Sequence, residues 1–192
     1  MKKIILSGLL VGGFVTANAQ QREKGTIEII PQIGFSISDY SGKDTSHNSS
    51  TEVSSINVGV AGDYYFNDRW SLRSGLLFQT MGSDIADIQE LRYFTVPLNA
   101  NYHFGSSRKW NVNFGPSVGF LASAKYGGVG NKDDFNTTQI GLNIGIGYKF
   151  EITKRFGILV DYQAMAGLTN ATKDFTIRNN YGSLNVGAVL KL

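Results

Sequence analysis

The feature that most constrains this chain is an alternation of apolar and polar side chains through eight long segments. Apolar residues recur at every second position, which indicates β-strands. In one segment, Ile140, Leu142, Ile144 and Ile146 share one face, and the residues between them share the other. The segments exceed the mode of about 5–6 residues for globular strands and reach the roughly 9–11 that a tilted membrane-spanning strand needs. They are Thr26–Ser38, Val53–Phe66, Trp70–Met81, Leu91–Phe104, Trp110–Lys125, Thr138–Phe150, Arg155–Ala166 and Tyr181–Leu192.

The connections between these segments alternate in length. Short turns alternating with long polar loops are typical of outer-membrane barrels, and closure leaves no unpaired strand edge in lipid. The sequence therefore predicts an all-β fold, an eight-stranded antiparallel up-and-down transmembrane β-barrel with short periplasmic turns and longer extracellular loops. The short connections are Asn67–Arg69, Gly105–Lys109 and Glu151–Lys154, and the long ones are Asp39–Glu52, Gly82–Glu90, Tyr126–Thr137 and Gly167–Asn180.

The two faces of the strands differ in chemistry. We expect the apolar face to meet lipid, because aromatic residues crowd its ends near the short turns and the opposite face is rich in Gly and Asn. The alternative is a soluble lipocalin-like barrel with the faces reversed. The hairpin register places Asp63 opposite Arg73, so we predict a structural charge pair inside the lumen. The polar face carries Glu28, Asp63, Arg73, Lys149, Asp161, Asn57, Asn111, Asn113, Asn143 and Asn185, and Ile30, Leu77, Leu159 and Val189 depart from its pattern.

The first nineteen residues have the pattern of an export signal. Lys2 and Lys3 precede a run of apolar residues from position 4 to position 15, and Ala17 and Ala19 form a small-x-small cleavage site just before Gln20. Twelve residues are too few to cross a hydrocarbon core of about 30 Å as a helix. We expect residues 1–19 to be a signal peptide and residues 20–192 to be the outer-membrane β-barrel domain.

Composition excludes several function classes. The chain has 0 cysteines, which excludes disulfides and thiolate sites, and 2 histidines, which excludes a three-histidine zinc site. Without Lys2 and Lys3, the 18 basic residues become 16 against 15 acidic ones, a net charge of +1, so nucleic-acid binding is not expected.

Candidate sites for chemistry are few. Asp44, Ser46 and His47 resemble a hydrolase constellation, but a loop rich in Ser and Thr produces such a grouping easily. Asp133-Asp134 is more often a solvated acidic pair than a calcium site, and His103 is expected to be a hydrogen-bonded lumen residue. The glycines of Gly127-Gly128-Val129-Gly130 and Gly145-Ile146-Gly147 lack a complete phosphate-loop pattern. We therefore predict no catalytic residue, no cofactor and no metal.

Several stretches resemble a known family. Gly59–Met81, Leu91–Phe104, Asn111–Gly127 and Gly141–Phe150 look like the PorT-like outer-membrane β-barrel domain family, and the run Tyr93-x-x-Val96-Pro97-Leu98 with Phe114-Gly115-Pro116 is the most specific part. The resemblance covers Gly25–Leu192 and implies an eight-stranded barrel in the outer membrane of Gram-negative bacteria. Some family members are associated with protein secretion and gliding, a role that no residue here singles out.

The last strand resembles the insertion signal that the barrel-assembly machinery reads. Asn185, Gly187, Leu190 and Leu192 match its polar residue, glycine and two spaced apolar residues, although the usual final residue is aromatic. We expect the machinery to be a partner, together with outer-membrane lipid.

The leading functional hypothesis is a non-enzymatic barrel that acts as a structural or interaction module, with an envelope or secretion protein as a further partner. The alternatives are a narrow ion-conducting pore and, further off, an outer-membrane hydrolase. Eight strands leave an interior only wide enough for side chains, so sugar-sized solutes are excluded.

Overall fold

A computed structural model describes residues 22–43, 51–85, 87–126, 129–130 and 132–192. Nine strands lie in these residues, and all pairings between them are antiparallel. The strands are β1 (Ile27–Gly42), β2 (Thr51–Tyr65), β3 (Trp70–Ile85), β4 (Asp87–Phe104), β5 (Trp110–Tyr126), β6 (Val129–Gly130), β7 (Thr138–Glu151), β8 (Phe156–Gly167) and β9 (Ile177–Lys191).

Eight of these strands close into an up-and-down barrel. Each pairs with the wall strands that precede and follow it in the chain, and β1 also pairs with β9, which removes both edges of the sheet. The two-residue strand β6 is not part of the wall and pairs only with the end of β5. The predicted fold class is therefore confirmed. Within the described residues no helix is long and apolar enough to cross a membrane.

The wall separates the two faces as the alternation predicts. Ile144 is 60% exposed on the outside, whereas Asn143, its neighbour in β7, is buried in the lumen. All ten polar residues assigned to the lumen face are buried. Three of the four apolar exceptions, Ile30, Leu159 and Val189, form a small lumen cluster with Ala61, and Leu77 is half-buried.

Aromatic rings form a belt around the periplasmic end of the outer wall. Trp70 contacts Tyr102, and a continuous series of ring contacts at 4.7–6.4 Å leads from Tyr102 to Phe150. Amphipathic rings favour the level of the lipid headgroups, where their bodies meet hydrocarbon and their polar atoms meet water. The members in contact are Trp70, Tyr102, Phe104, Trp110, Tyr148 and Phe150.

Four of the eight predicted strand ends at the extracellular side are wrong by four residues, and the other four agree within two residues. The loop expected at 82–90 is almost entirely hairpin, because β3 runs to Ile85 and β4 begins at Asp87. Likewise β1 continues to Gly42 and β9 begins at Ile177. Ladder hydrogen bonds continue above the lipid, where neither face meets hydrocarbon and the apolar alternation that marks a strand in the sequence disappears.

Candidate functional site: a lumen closed at both ends

Six charged side chains meet inside the periplasmic half of the barrel. Three are cationic and three are anionic, so the cluster is neutral, and every member is at least nine-tenths buried. We name it the lumen charge cluster. Its members are Arg22, Glu28, Asp63, Arg73, Lys149 and Asp161.

Arg73 and Asp63 face each other across β2 and β3. The guanidinium donates two hydrogen bonds to the carboxylate, from Nε to Oδ1 and from Nη2 to Oδ2, both at 2.9 Å. Arg73 Nη1 also reaches Asp161 Oδ2 on β8 at 3.3 Å. The structure thus brings the two residues of the expected pair together, and the guanidinium further links opposite sides of the wall.

Lys149 joins β7 to β1 and β2, neither of which pairs with β7. From β7 its ammonium group donates to Asp63 Oδ2 at 2.8 Å, to Tyr65 Oη at 2.8 Å and to Glu28 Oε2. Asn101 on β4 donates to Asp63 as well. Charges enclosed in this way are strongly coupled, because water does not screen them.

Arg22 closes the periplasmic mouth. It precedes β1, and its guanidinium contacts Glu28 and, at 3.2 Å from Nη1 to Oε1, Glu151 in the wall. It also lies 5.5 Å from the centre of the Tyr65 ring. Burial alone would lower the pKa of the guanidinium, but Tyr65 and the Glu28 carboxylate raise it above its ordinary value.

Sequence reasoning missed Arg22, although a signal was present. The five charges on the predicted lumen face are two cations and three anions, an imbalance that a narrow interior does not tolerate. The compensating cation comes from the segment before the first strand, outside the alternating pattern.

His103 is buried beside this cluster. Its ring stacks on Tyr65 with the ring centres 4.8 Å apart, and Nε2 lies 2.9 Å from Ser71 Oγ. Among the residues described, no three His, Asp or Glu side chains gather as metal ligands would.

Apolar side chains pack together in the extracellular half of the lumen, where the buried polar side chains of Gln139 and Asn179 contact them. They come from five wall strands and from two loops, and all are buried. We name this group the apolar plug. It consists of Tyr40, Met81, Leu91, Tyr93, Ala124, Phe135, Met165 and Ala171.

Two extracellular loops place Phe135 and Ala171 in the extracellular mouth of the barrel, and hydrogen bonds join the two loops. Asn136 Nδ2 donates to the carbonyl oxygens of Asn170 and Thr172, both at 2.9 Å. The backbone N–H of Asn136 donates to the carbonyl of Ala171 at 2.8 Å. We call residues 132–137 and 168–176 the extracellular loop pair.

The four residues of the predicted insertion signal lie on β9 or directly after it, two of them facing the lumen and two facing outward. Asn185 donates to Asp161 at 3.0 Å, and a Cβ atom on Gly187 would lie 2.7 Å from Ile30 Cγ2, so lumen packing already requires both residue types. Leu190 and Leu192 are exposed on the outside.

Some of the other predicted site residues lie outside the described part of the chain, and others lie on strands. The cleavage residues Ala17, Ala19 and Gln20, the group Asp44, Ser46 and His47, and Gly127-Gly128 lie outside the described residues. Gly145 and Gly147 lie on β7 with their Cα atoms toward the lumen, not in a phosphate-binding loop.

A closed antiparallel barrel with an apolar outer wall, an aromatic belt and a packed polar interior defines the class of small outer-membrane barrels. Residues 18–173 match the outer membrane protein beta-barrel domain family, and the chain belongs to this family. The protein is therefore an outer-membrane β-barrel protein of the Gram-negative type. No curated protein is significantly similar to it in sequence.

Solved outer-membrane barrels share the fold. Neisserial surface protein A is 17% identical with a TM-score of 0.57, covering 88% of this chain and 99% of its own. OprG from Pseudomonas aeruginosa is 12% identical with a TM-score of 0.53, covering 90% and 98%. The N-terminal β-barrel domain of OprF from the same organism is 16% identical with a TM-score of 0.51, covering 88% and 100%.

Proposed function

We propose that this protein is a non-enzymatic interaction module of the outer membrane, which binds a partner through its extracellular loop pair. The observation that carries the proposal is the closure of the lumen by the charge cluster below and the apolar plug above. Among the described residues, a cavity at the periplasmic mouth has a volume of about 20 Å³ and one inside the lumen has about 30 Å³, enough for one or two water molecules each. Because solutes cannot pass through a closed interior, we infer that the protein acts by binding a partner at its surface.

The loop pair has the properties of a binding surface. Its hydrogen bonds hold it in one conformation, which lowers the entropy cost of binding. Leu168 and Phe175 nonetheless remain 54% and 57% exposed at its rim, and exposed apolar side chains on an ordered surface favour contact with another protein.

Photocrosslinking in intact cells tests this assignment. A photoreactive phenylalanine at Phe175 should give a specific protein adduct. The same group at Phe66, which is 48% exposed in a periplasmic turn, is the matched control and should give none. Adducts from Phe66 alone, or from neither position, would contradict the proposal.

The pore is the alternative, and single-channel recording in planar bilayers tests it. We expect no conductance from the wild-type barrel, because an ion would have to displace both the charge cluster and the plug. A stable conductance would show that the lumen opens and would favour the pore.

Three finer assignments belong to the same proposal. The PorT-like resemblance supports membership of that narrower group and an association with a secretion or envelope assembly. We further propose that the barrel-assembly machinery recognises Asn185, Gly187, Leu190 and Leu192. Removal of residues 1–19 before Gln20 is expected, and N-terminal sequencing of the mature protein checks it.

A further inference from the structure

Charged residues are distributed unequally between the two ends of the barrel. Outside the lumen charge cluster, the periplasmic end carries seven basic residues against three acidic ones, Glu23, Asp68 and Glu151, a net charge of +4. The extracellular half of the described chain carries six basic and eight acidic residues outside the lumen, a net charge of −2. A chain that is almost neutral as a whole therefore has one strongly basic end. The seven basic residues are Lys24, Arg69, Arg108, Lys109, Lys154, Arg155 and Lys191.

Most of this positive charge has no carboxylate partner. Arg108 pairs with Asp68 at 3.0 Å, and Lys109 lies 3.9 Å from Glu151, measured from Nζ to Oε2. The other five form no ion pair with an Asp or Glu side chain in the part of the chain that the structure describes, so the protein itself does not neutralise them. We name these five residues the basic rim. They are Lys24, Arg69, Lys154, Arg155 and Lys191.

Arg69 shows that the rim reaches the lipid side of the wall. Its guanidinium donates from Nη1 to Tyr102 Oη at 3.1 Å. Tyr102 is an outward-facing member of the aromatic belt, and its ring centre lies 4.8 Å from that of Trp70. Asn67 holds the turn, because its side-chain oxygen accepts the N–H groups of Arg69 and Trp70, both at 2.9 Å. The guanidinium is therefore fixed beside a ring that lies at the level of the lipid headgroups.

A second corner of the rim lies where the turn before β8 meets the end of β9. The backbone N–H of Lys191 donates to the carbonyl oxygen of Arg155 at 2.9 Å. Thr153 Oγ1 accepts the N–H groups of Arg155 and Phe156 at 3.3 and 3.0 Å. Lys154, Arg155 and Lys191 thus share one corner on a backbone that is already ordered, which lowers the entropy cost of holding a ligand.

The dimensions of the bilayer place this corner inside the headgroup layer. A rise of about 3.4 Å per residue at a tilt of about 40° gives about 2.6 Å of height per residue. Arg155 and Lys154 come one and two residues before Phe156, and Lys191 comes one residue after Leu190; Phe156 and Leu190 are exposed on the outer wall. The cations therefore lie about 3–5 Å beyond these apolar side chains. The headgroup layer is about 5–7 Å thick on each side, since a bilayer of about 40–45 Å has a core of about 30 Å.

We propose that the basic rim binds anionic phospholipids of the inner leaflet of the outer membrane through their phosphate groups. Arg69 holds one phosphate beside Tyr102, and the corner formed by Lys154, Arg155 and Lys191 holds another. The acyl chains then pack against the aromatic belt and the apolar wall above. Basic residues at a membrane surface attract anionic lipids, and a guanidinium matches phosphate through parallel N–H donors.

The same features argue against other ligands. An acidic periplasmic protein would have to displace the headgroup layer before it contacted these short turns. A zwitterionic lipid brings its own ammonium group, which the uncompensated cations of the rim repel. The inference does not depend on the extracellular loop pair, so either proposal stands if the other fails.

Tryptophan quenching by brominated lipids tests the site, because both of the 2 tryptophans lie in the aromatic belt. Trp70 follows Arg69 directly, and Trp110 follows Lys109. The protein is reconstituted in phosphatidylcholine vesicles that contain a minor fraction of acyl-brominated phosphatidylglycerol or phosphatidylethanolamine. We expect the glycerol lipid to bind at least fivefold more strongly, since one basic residue contributes about 1 kcal/mol, a factor of about five. Equal quenching by the two lipids would overturn the proposal.

Matched variants separate the rim from the charge of the whole protein. Both variants replace four basic residues by Gln and so have the same net charge, but at opposite ends of the barrel. The rim variant should lose the preference for the glycerol lipid, and the control should keep it. A preference that survives in the rim variant, or that disappears in both, would refute the site. The rim variant changes Arg69, Lys154, Arg155 and Lys191, and the control changes Lys43, Arg92, Lys125 and Arg178.

A moved reporter examines the second corner separately. Phe156→Trp, combined with Trp70→Phe and Trp110→Phe, places the only tryptophan beside Arg155. The preference for the glycerol lipid should be seen from this position as well, and its absence there would contradict the second phosphate site. Heat-modifiability on gels shows that each variant has folded.

Soluble additions identify the source of the phosphate and the kind of force. Millimolar inorganic phosphate, compared with chloride at equal ionic strength, should leave the quenching unchanged, and displacement of the lipid by phosphate would make the rim a site for free anions instead. EDTA should also have no effect, whereas a preference that EDTA abolishes would place the lipid at the acidic extracellular end through a bridging metal ion. Raising the salt from 0.1 M to 1 M should weaken the preference, because the Debye length falls from about 10 Å to about 3 Å. A preference that salt does not change would contradict a site based on charge.

Discussion

Replacement of Arg73 by Met should destabilise the barrel strongly. The change removes two hydrogen bonds of 2.9 Å to Asp63 and a contact of 3.3 Å to Asp161 while keeping much of the side-chain volume. Three cations then become two against three carboxylates, and one buried negative charge has no partner. The loss of one member of a buried pair costs about 3–5 kcal/mol, because the remaining charge stays desolvated.

A double-mutant cycle isolates the electrostatic part of this cost. Asp63→Asn alone leaves the lumen with one excess positive charge, whereas Asp63→Asn with Arg73→Met restores neutrality. The double variant should therefore be more stable than the sum of the single effects predicts, with a coupling of roughly 1–3 kcal/mol. An additive result would show that shape, not charge balance, dominates the cluster.

Urea unfolding from lipid vesicles provides the measurement, with the fluorescence of Trp70 and Trp110 in the aromatic belt as the signal. The control is Arg92→Met, which breaks an ion pair with Glu90 at 3.5 Å whose side chains are 40% and 38% exposed. Exposed pairs contribute only about 0–1 kcal/mol. If Arg73→Met costs no more than Arg92→Met, the reasoning about the lumen charge cluster is wrong.

Three other variants test the wall, a loop and the last strand. Ile144→Arg should lower the free energy of unfolding by about 2–4 kcal/mol near the membrane midplane, while Asn143→Ser, which faces the lumen, should be mild in the same urea titration; equal sensitivity would contradict the assignment of the faces. Replacement of residues 43–50 by a short Gly-Ser linker should leave heat-modifiability intact, because β1 and β2 pair without them, and a variant that fails to fold would make this loop structural. Leu192→Phe should accelerate folding by the purified assembly machinery if the last strand is its signal, and an unchanged rate would count against that interpretation.

The sequence determined the barrel and its two faces. Alternation over segments such as Thr138–Phe150 has a period of two, and in lipid such a strand must pair on both edges, so closure follows from hydrogen bonding alone. The sequence also predicted that Asp63 and Arg73 lie opposite each other, because a short turn fixes the register of its hairpin. These inferences depend only on neighbours along the chain.

The strand ends at the extracellular side and the groups that close the two ends of the lumen could be identified only from the tertiary structure. Above the lipid neither face of a strand meets hydrocarbon, so residues such as Tyr40 and Ile177 carry no periodic sign of belonging to strands. Phe135 reads as a loop residue in the sequence and becomes part of the apolar plug only because two distant loops meet over the mouth.

The same limit applies to the lumen charge cluster. The sequence placed Lys149 and Glu28 on one face, but the distance between them across the barrel is set by strand number and stagger. The alternation in the sequence predicts which face of the wall a residue lies on. Its contacts on that face depend on how the barrel closes.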